Sequence, residues 1–269
     1  MPGMNGQSGF PATISLLCLA LIPLVAAIAY AVGVVRLTRR GDRWPRTRSI
    51  AAATGFAVLI AALMPPMDSS DFRVTVVRHL MIAMLAPFAL ALSAPVTLAL
   101  RTLPPAGRRR LLGSMTNASV RSLTSAPMIL VLDVGGMYAY YLSPLFAAGD
   151  QHPWMHLAVH VHMFLAGWLL SWYVVARDPI HSRPSVRTRL VVLLIAAAAH
   201  DVLAKLMYAH LLPAGGGTPA QLRAGAQLLF YGGEAMDIAL TCAVMLAWYR
   251  RAGRQLTAQS GRAPVVGVS

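Results

Sequence analysis

A chain of 269 residues that is 57% hydrophobic and only 12% charged carries roughly half the charge of a soluble domain of its size, which excludes a water-soluble fold. Its two cysteines, Cys18 and Cys242, both lie in apolar stretches, so neither a disulfide framework nor a CxxC redox pair exists. The net charge of +14 does not mark a nucleic-acid binder, because the basic residues sit in short clusters between hydrophobic runs and form no single basic face with stacking aromatics.

A helix needs about 20 mostly apolar residues to cross a bilayer, and only helices or closed barrels satisfy their backbone there. The apolar runs are continuous and not alternating, which predicts an all-α integral membrane protein with a bundle of about seven transmembrane helices. The spans fall at about 12–35, 50–66, 74–100, 124–147, 153–176, 187–212 and 222–249. The opening MPGMNGQSGF lacks the basic region of a cleavable signal, so the first span is expected to be retained. The second ends at Pro65 and Pro66, and the third carries Pro87 and Pro95, each a candidate kink or stop. One transmembrane domain over 1–254 and a disordered tail over 255–269 are expected.

Arginine sets the orientation. Segment 36–48 holds six, 101–121 five, 177–189 four and the tail after Tyr249 four, so 19 of the 23 basic residues fall on one side of a seven-span chain. Cytoplasmic loops collect Lys and Arg, which places the N-terminus outside and the C-terminus inside. Those loops also suit contact with anionic headgroups, although topogenesis alone accounts for them.

That topology gathers the histidines. Seven of the eight, His79, His152, His156, His160, His162, His200 and His210, fall in the outer loops or the outer halves of spans. Met64, Met67, Met81, Met84, Met155, Met163 and Met207 share that side with Asp68, Asp71 and Asp150. In the fifth span His152, His156 and His160 recur every four residues and turn by only about 40° per step, so they form one stripe to which Met163 returns while His162 points elsewhere. Imidazole and thioether donors suit copper, especially Cu(I). A polar seam between helices is the structural alternative, and three histidines in register favour the metal. In the sixth span His200 and Met207 share a face, while Asp201 and Lys205 share another and are expected to pair. Asp133 in the fourth span and Glu234 and Asp237 in the seventh are intramembrane acids for which a proton or metal path and a helix-locking network stand as equal readings. In the third span Met81 and Met84 lie nearly opposite His79 on an unbroken helix, so the three are not expected to meet. No GxSxG, HExxH or glycine-rich phosphate loop supports hydrolysis.

The run RHLMIAMLAPFALALSAP, with His79, Pro87 and Pro95, resembles the third-helix signature of the polytopic CtaG family of cytochrome c oxidase assembly factors. HLAVHVHMFLAGWLLSW, with His156, His160, Gly167 and Trp172, is similar to that family's histidine-rich helix, and HDVLAKLMYAH, with His200, to the next. The resemblance covers roughly residues 50–250. It implies a role in maturing haem–copper oxidases by handling copper for the catalytic subunit on the external side.

The expected function is therefore that of an assembly factor of the bacterial plasma membrane and not an enzyme. His156, His160 and His200 are the core copper ligands, with His79, His152, Met163 and Met207 behind them. The oxidase subunit and an external copper donor are the expected partners, in contact with lipid and not with nucleic acid. Two alternatives stand: a metal-ion or proton transporter using Asp133, Asp201, Lys205, Glu234 and Asp237, and a membrane enzyme that binds metal or haem.

Overall fold

The continuous apolar runs fold as helices joined by short loops among the described residues. The computed structural model describes residues 9–64, 71–178 and 184–260, and among them there is no β-strand. Six helices are long and apolar enough to cross a membrane, as their composition requires. The first, second and third spans are Gly9–Arg39, Arg46–Leu63 and Phe72–Thr102. A shorter apolar helix, Ala126–Leu142, forms the fourth span, and Pro153–Val175, Val186–His210 and Pro219–Ser260 form the fifth to seventh. The bundle of about seven helices is as the hydropathy pattern predicts. The loop after the third span adds two short helices, Pro105–Thr116 and Ala118–Leu123, with no buried residue in either.

The third span is not one regular helix. It starts at Asp71, whose carboxylate accepts the Arg73 amide at 2.9 Å and caps the first turn. The Arg73 guanidinium also holds the Asp71 carboxyl below the ordinary carboxylate range. Phe72–His79 then passes into a π-helical stretch, Leu80–Leu85, before Ala86–Ser93 resumes the α-helix. Pro87 has no N–H to give the carbonyl four residues back, that of Ala83, and the wider π turn absorbs the misfit. The Ala83 carbonyl instead lies against Gly167 of the fifth span, where any side-chain carbon would overlap it. Pro95 breaks the helix at Ala94, which takes the left-handed conformation at φ 53°.

That break exposes the amide end of the last segment, Pro95–Thr102. Asp178, buried in the loop after the fifth span, closes it. One carboxylate oxygen accepts the Thr97 amide at 2.7 Å and the Thr97 hydroxyl at 2.6 Å, and the other accepts the Trp172 indole N–H at 3.3 Å. A negative charge at a helix N-terminus is favourable, and here it locks the third span to the fifth.

Three apolar clusters form the core: one packs the first span on the second and third through Tyr30, Leu37, Trp44, Ala52 and Leu98, and the other two fill the rest of the bundle. Towards the arginine-poor end, Phe72, Val76, Tyr141, Met163, Leu203, Met207 and Leu229 pack together. Towards the other end, Ile129, Leu170, Val174, Val192, Leu240 and Val244 do so. The candidate site lies where these two meet.

Candidate metal centre

Five spans contribute side chains to a cavity of about 40 Å³ at the junction of the two clusters. His79 and Met84 come from the third span, Asp133 and Met137 from the fourth, His162 and Met163 from the fifth, His200 from the sixth and Asp237 from the seventh. Each reaches the cavity for a local reason. In the third span the i→i+5 bonding of the π turn, marked by the Ala86 amide bonding to the Met81 carbonyl, brings residues five apart near one face. Met84 therefore joins His79, which corrects the expectation from a regular helix. The fourth span repeats the device, with π-helical Val131–Gly135 carrying Asp133.

His79 and His200 form the heart of the site. Their ring centroids lie 6.5 Å apart with planes 18° from parallel, and both residues are buried. Nδ1 of His79 and both ring nitrogens of His200 have no hydrogen-bond partner. Buried polar atoms are normally satisfied, and each orphan costs about 1–3 kcal/mol. These nitrogens are the polar centre of an otherwise apolar core. Gly233 supports His200 from the seventh span so closely that a side-chain carbon there would overlap the imidazole. Tyr141 covers His79 edge-on at 5.6 Å, and its buried hydroxyl is likewise without a partner.

The stripe on the fifth span lies elsewhere. His156 and His160 form their own pair, ring centroids 4.2 Å apart. Nδ1 of His160 lies 2.7 Å from the His156 carbonyl, which can only accept, so Nδ1 carries the proton and Nε2 keeps its lone pair. His160 faces a lateral groove beside Ile22, Phe56, Leu59 and Ile82, not the central cavity. The reason is helical period: His162, Met163, Ala166, Gly167, Leu170 and Ser171 take the cavity face, and His160, Val161, Phe164 and Leu165 the groove face. His162 donates its Nε2 proton to the Leu132 carbonyl at 3.1 Å, so the lone pair of the ring is on Nδ1.

The remaining candidates separate. His152 is exposed, stacked beside Trp154 at 6.5 Å, and Met207 is fully buried in the apolar cluster. Lys205 does not pair with Asp201; its ammonium lies 5.2 Å from the Phe230 ring centroid, and Oδ1 of Asp201 is buried without a partner. Of the acids expected in one network, Asp133 and Asp237 line the cavity while Glu234 is exposed. Met64 is exposed, and Met67 and Asp68 lie outside the described residues. Among the described residues no three His, Cys, Asp or Glu side chains gather round one point. The donors come as histidine pairs with thioethers nearby, a set open to a soft ion of low coordination number and not to a closed tetrahedral zinc site.

Sequence reasoning did not select Met84, Met137 or His162 for the cavity, nor Gly233 as its support. For Met84 the available signal was Pro87, which forbids a regular α-helix three residues later.

Fold and site together define a polytopic helical membrane protein with a small histidine-, methionine- and aspartate-lined cavity at the centre of the bundle. The chain belongs to the cytochrome c oxidase caa3 assembly factor (Caa3_CtaG) family, which it matches over residues 28–251. Over 166 residues, 58% of the chain, it is 36% identical to the uncharacterized protein Mb0105 of Mycobacterium bovis and to MT0111 of Mycobacterium tuberculosis. It is 33% identical to ML1998 of Mycobacterium leprae over the same length. The match takes in 25% of each of those proteins, so the chain spans about a quarter of the curated relatives it resembles. No solved structure matches it.

Proposed function

We infer that this oxidase assembly factor works by holding copper as Cu(I) and passing it to the copper centre of a haem–copper oxidase. The observation that carries the reading is the buried pair His79 and His200, which bears three unpartnered ring nitrogens and lines a cavity shared with Met84, Met137 and Met163. Neutral imidazole and thioether are the donors that select Cu(I). His156 and His160 form a second, shallower pair, suited to receive the ion from an external donor before it reaches the inner one. Two weak sites of few ligands allow stepwise exchange, which a carrier needs and a closed site prevents. The arginine-rich ends face the cytoplasm of a bacterial plasma membrane, and the histidine pairs lie towards the outside, where the oxidase subunit docks. The role is that of a carrier and not of a catalyst.

Copper content and Cu(I) affinity of the detergent-purified protein test this directly. A His79→Ala/His200→Ala variant is expected to lose tight binding, whereas His156→Ala/His160→Ala is expected to load more slowly to the same final occupancy. Wild-type protein without copper affinity, or unchanged binding in the inner-pair variant, overturns the reading. Metal or proton flux in liposomes that disappears with Asp237→Asn would establish the transporter instead.

A further inference from the structure

A groove runs along the side of the bundle between the first span and the third and fifth, away from the central cavity. It has a volume of about 620 Å³, within the ~300–1,000 Å³ typical of ligand pockets. Its walls are apolar: Ala29 and Gly33 on the first span, Leu98 on the third, Phe164 and Trp168 on the fifth. Among the described residues the single charged group lining it is Arg36, at the arginine-rich end. Arg36 is exposed and has no acidic partner among the described residues. The acids of that end are engaged elsewhere, Asp42 on Arg101 at 3.1 Å and Asp178 on Thr97 and Trp172. A cation is thus left at the mouth of an apolar trough.

The dimensions choose the occupant. From Arg36 to Ala26 the groove follows ten residues of helix, about 15 Å at 1.5 Å per residue. That is half of the ~30 Å hydrocarbon core, the depth of one leaflet. A molecule that presents an anion at the interface and an alkyl chain one leaflet deep is a phospholipid. We propose that this groove holds one anionic phospholipid, its phosphate on Arg36 and an acyl chain along Gly33, Ala29 and Phe164. The close approach of Gly33 to Leu98, where an added carbon would sit 3.2 Å from the Leu98 side chain, keeps the floor of the trough narrow. The groove continues past Ala26, Phe56 and Leu165 to His160, so a lipid seated in it also closes the lateral side of the outer histidine pair.

The test uses the full-length protein in detergent, with thermal unfolding followed during titration with phosphatidylglycerol, phosphatidylcholine of the same chains, or inorganic phosphate. One arginine near a headgroup contributes about 1 kcal/mol, so phosphatidylglycerol is expected to act at a concentration roughly fivefold below phosphatidylcholine. Inorganic phosphate is expected to have no effect, because the chain must fill the trough. Arg36→Gln is expected to abolish the preference and Ala29→Phe to weaken both lipids, whereas Arg110→Gln, on an exposed helix outside the groove, leaves the preference intact. Equal action of the two lipids, or an equal loss with Arg110→Gln, overturns the proposal in favour of diffuse charge attraction. A photo-crosslinker at Leu165 in native membranes reads the occupant independently of stability: a lipid-sized adduct is expected, and a protein adduct assigns the groove to a partner helix and overturns the lipid. Copper binding plays no part in these readouts.

Discussion

His79 and His200 face each other across the bundle with ring centroids 6.5 Å apart and planes within 18° of parallel, one from the third span and one from the sixth. Nothing in either helix alone sets that separation. It depends on Gly233 of the seventh span, where the absence of a side chain leaves room for the His200 ring. Gly233→Ala puts a carbon onto Cε1 and Nδ1 of that ring and displaces it. Residues that orient a metal ligand typically change affinity by about 10–100-fold, and a Cu(I) competition assay is expected to show a loss of that size. Gly135→Ala, whose added carbon meets nothing within 4 Å, is expected to bind copper as the wild type does.

Asp133 and Asp237 line the same cavity as the histidines, so the copper proposal must separate carboxylate from imidazole and thioether donors. Carboxylate oxygen is a hard donor and contributes little to Cu(I), whereas it favours Zn²⁺ and Mn²⁺. Asp133→Asn and Asp237→Asn are therefore expected to keep Cu(I) affinity within about threefold of wild type while weakening any zinc binding more strongly. A collapse of Cu(I) affinity in either variant would assign the acids to the copper site.

The helices and their order were legible in the sequence, because hydropathy and the period of 3.6 act locally. The grouping of the ligands was less so. Reading the fifth span as one stripe joined His160 to Met163, yet the structure turns His160 to the groove and Met163 to the cavity, and only the neighbouring helices decide which side is which. Met84 was hidden for a different reason. On a regular helix it lies far round from His79, and the extra residue of the π turn, placed where Pro87 cannot bond to Ala83, brings it back. The expected pairing of Asp201 with Lys205 followed from spacing alone, and the lysine is drawn instead to Phe230 on the next span.

The π turn makes its own prediction through Gly167. An added carbon there meets the Ala83 carbonyl, a backbone atom that cannot rotate away, so the third and fifth spans must separate. Overpacking of this kind costs about 1–3 kcal/mol, and Gly167→Ala is expected to lower the unfolding temperature by several degrees in detergent. Gly149→Ala, facing open space, is the matched control and is expected to be neutral.

Asp178 tests the other end of the third span. Its carboxylate takes three hydrogen bonds, from the Thr97 amide, the Thr97 hydroxyl and the Trp172 indole, at a residue with no exposed surface. Hydrogen bonds to a charged group contribute about 1.5–3 kcal/mol each, and their loss strands three donors, the buried Trp172 indole among them. Asp178→Ala is expected to destabilise the bundle by about 3 kcal/mol or more, seen as a lower unfolding temperature and as earlier proteolysis in the segment 94–104. Asp178→Asn keeps an acceptor for the Thr97 amide but loses the charge that favours the helix N-terminus, so an intermediate loss is expected. Because this contact lies in the opposite half of the bundle from His79 and His200, both variants are expected to retain Cu(I) affinity at temperatures where they remain folded. A parallel loss of affinity and stability would show that the two ends of the third span move as one rigid body through the π turn.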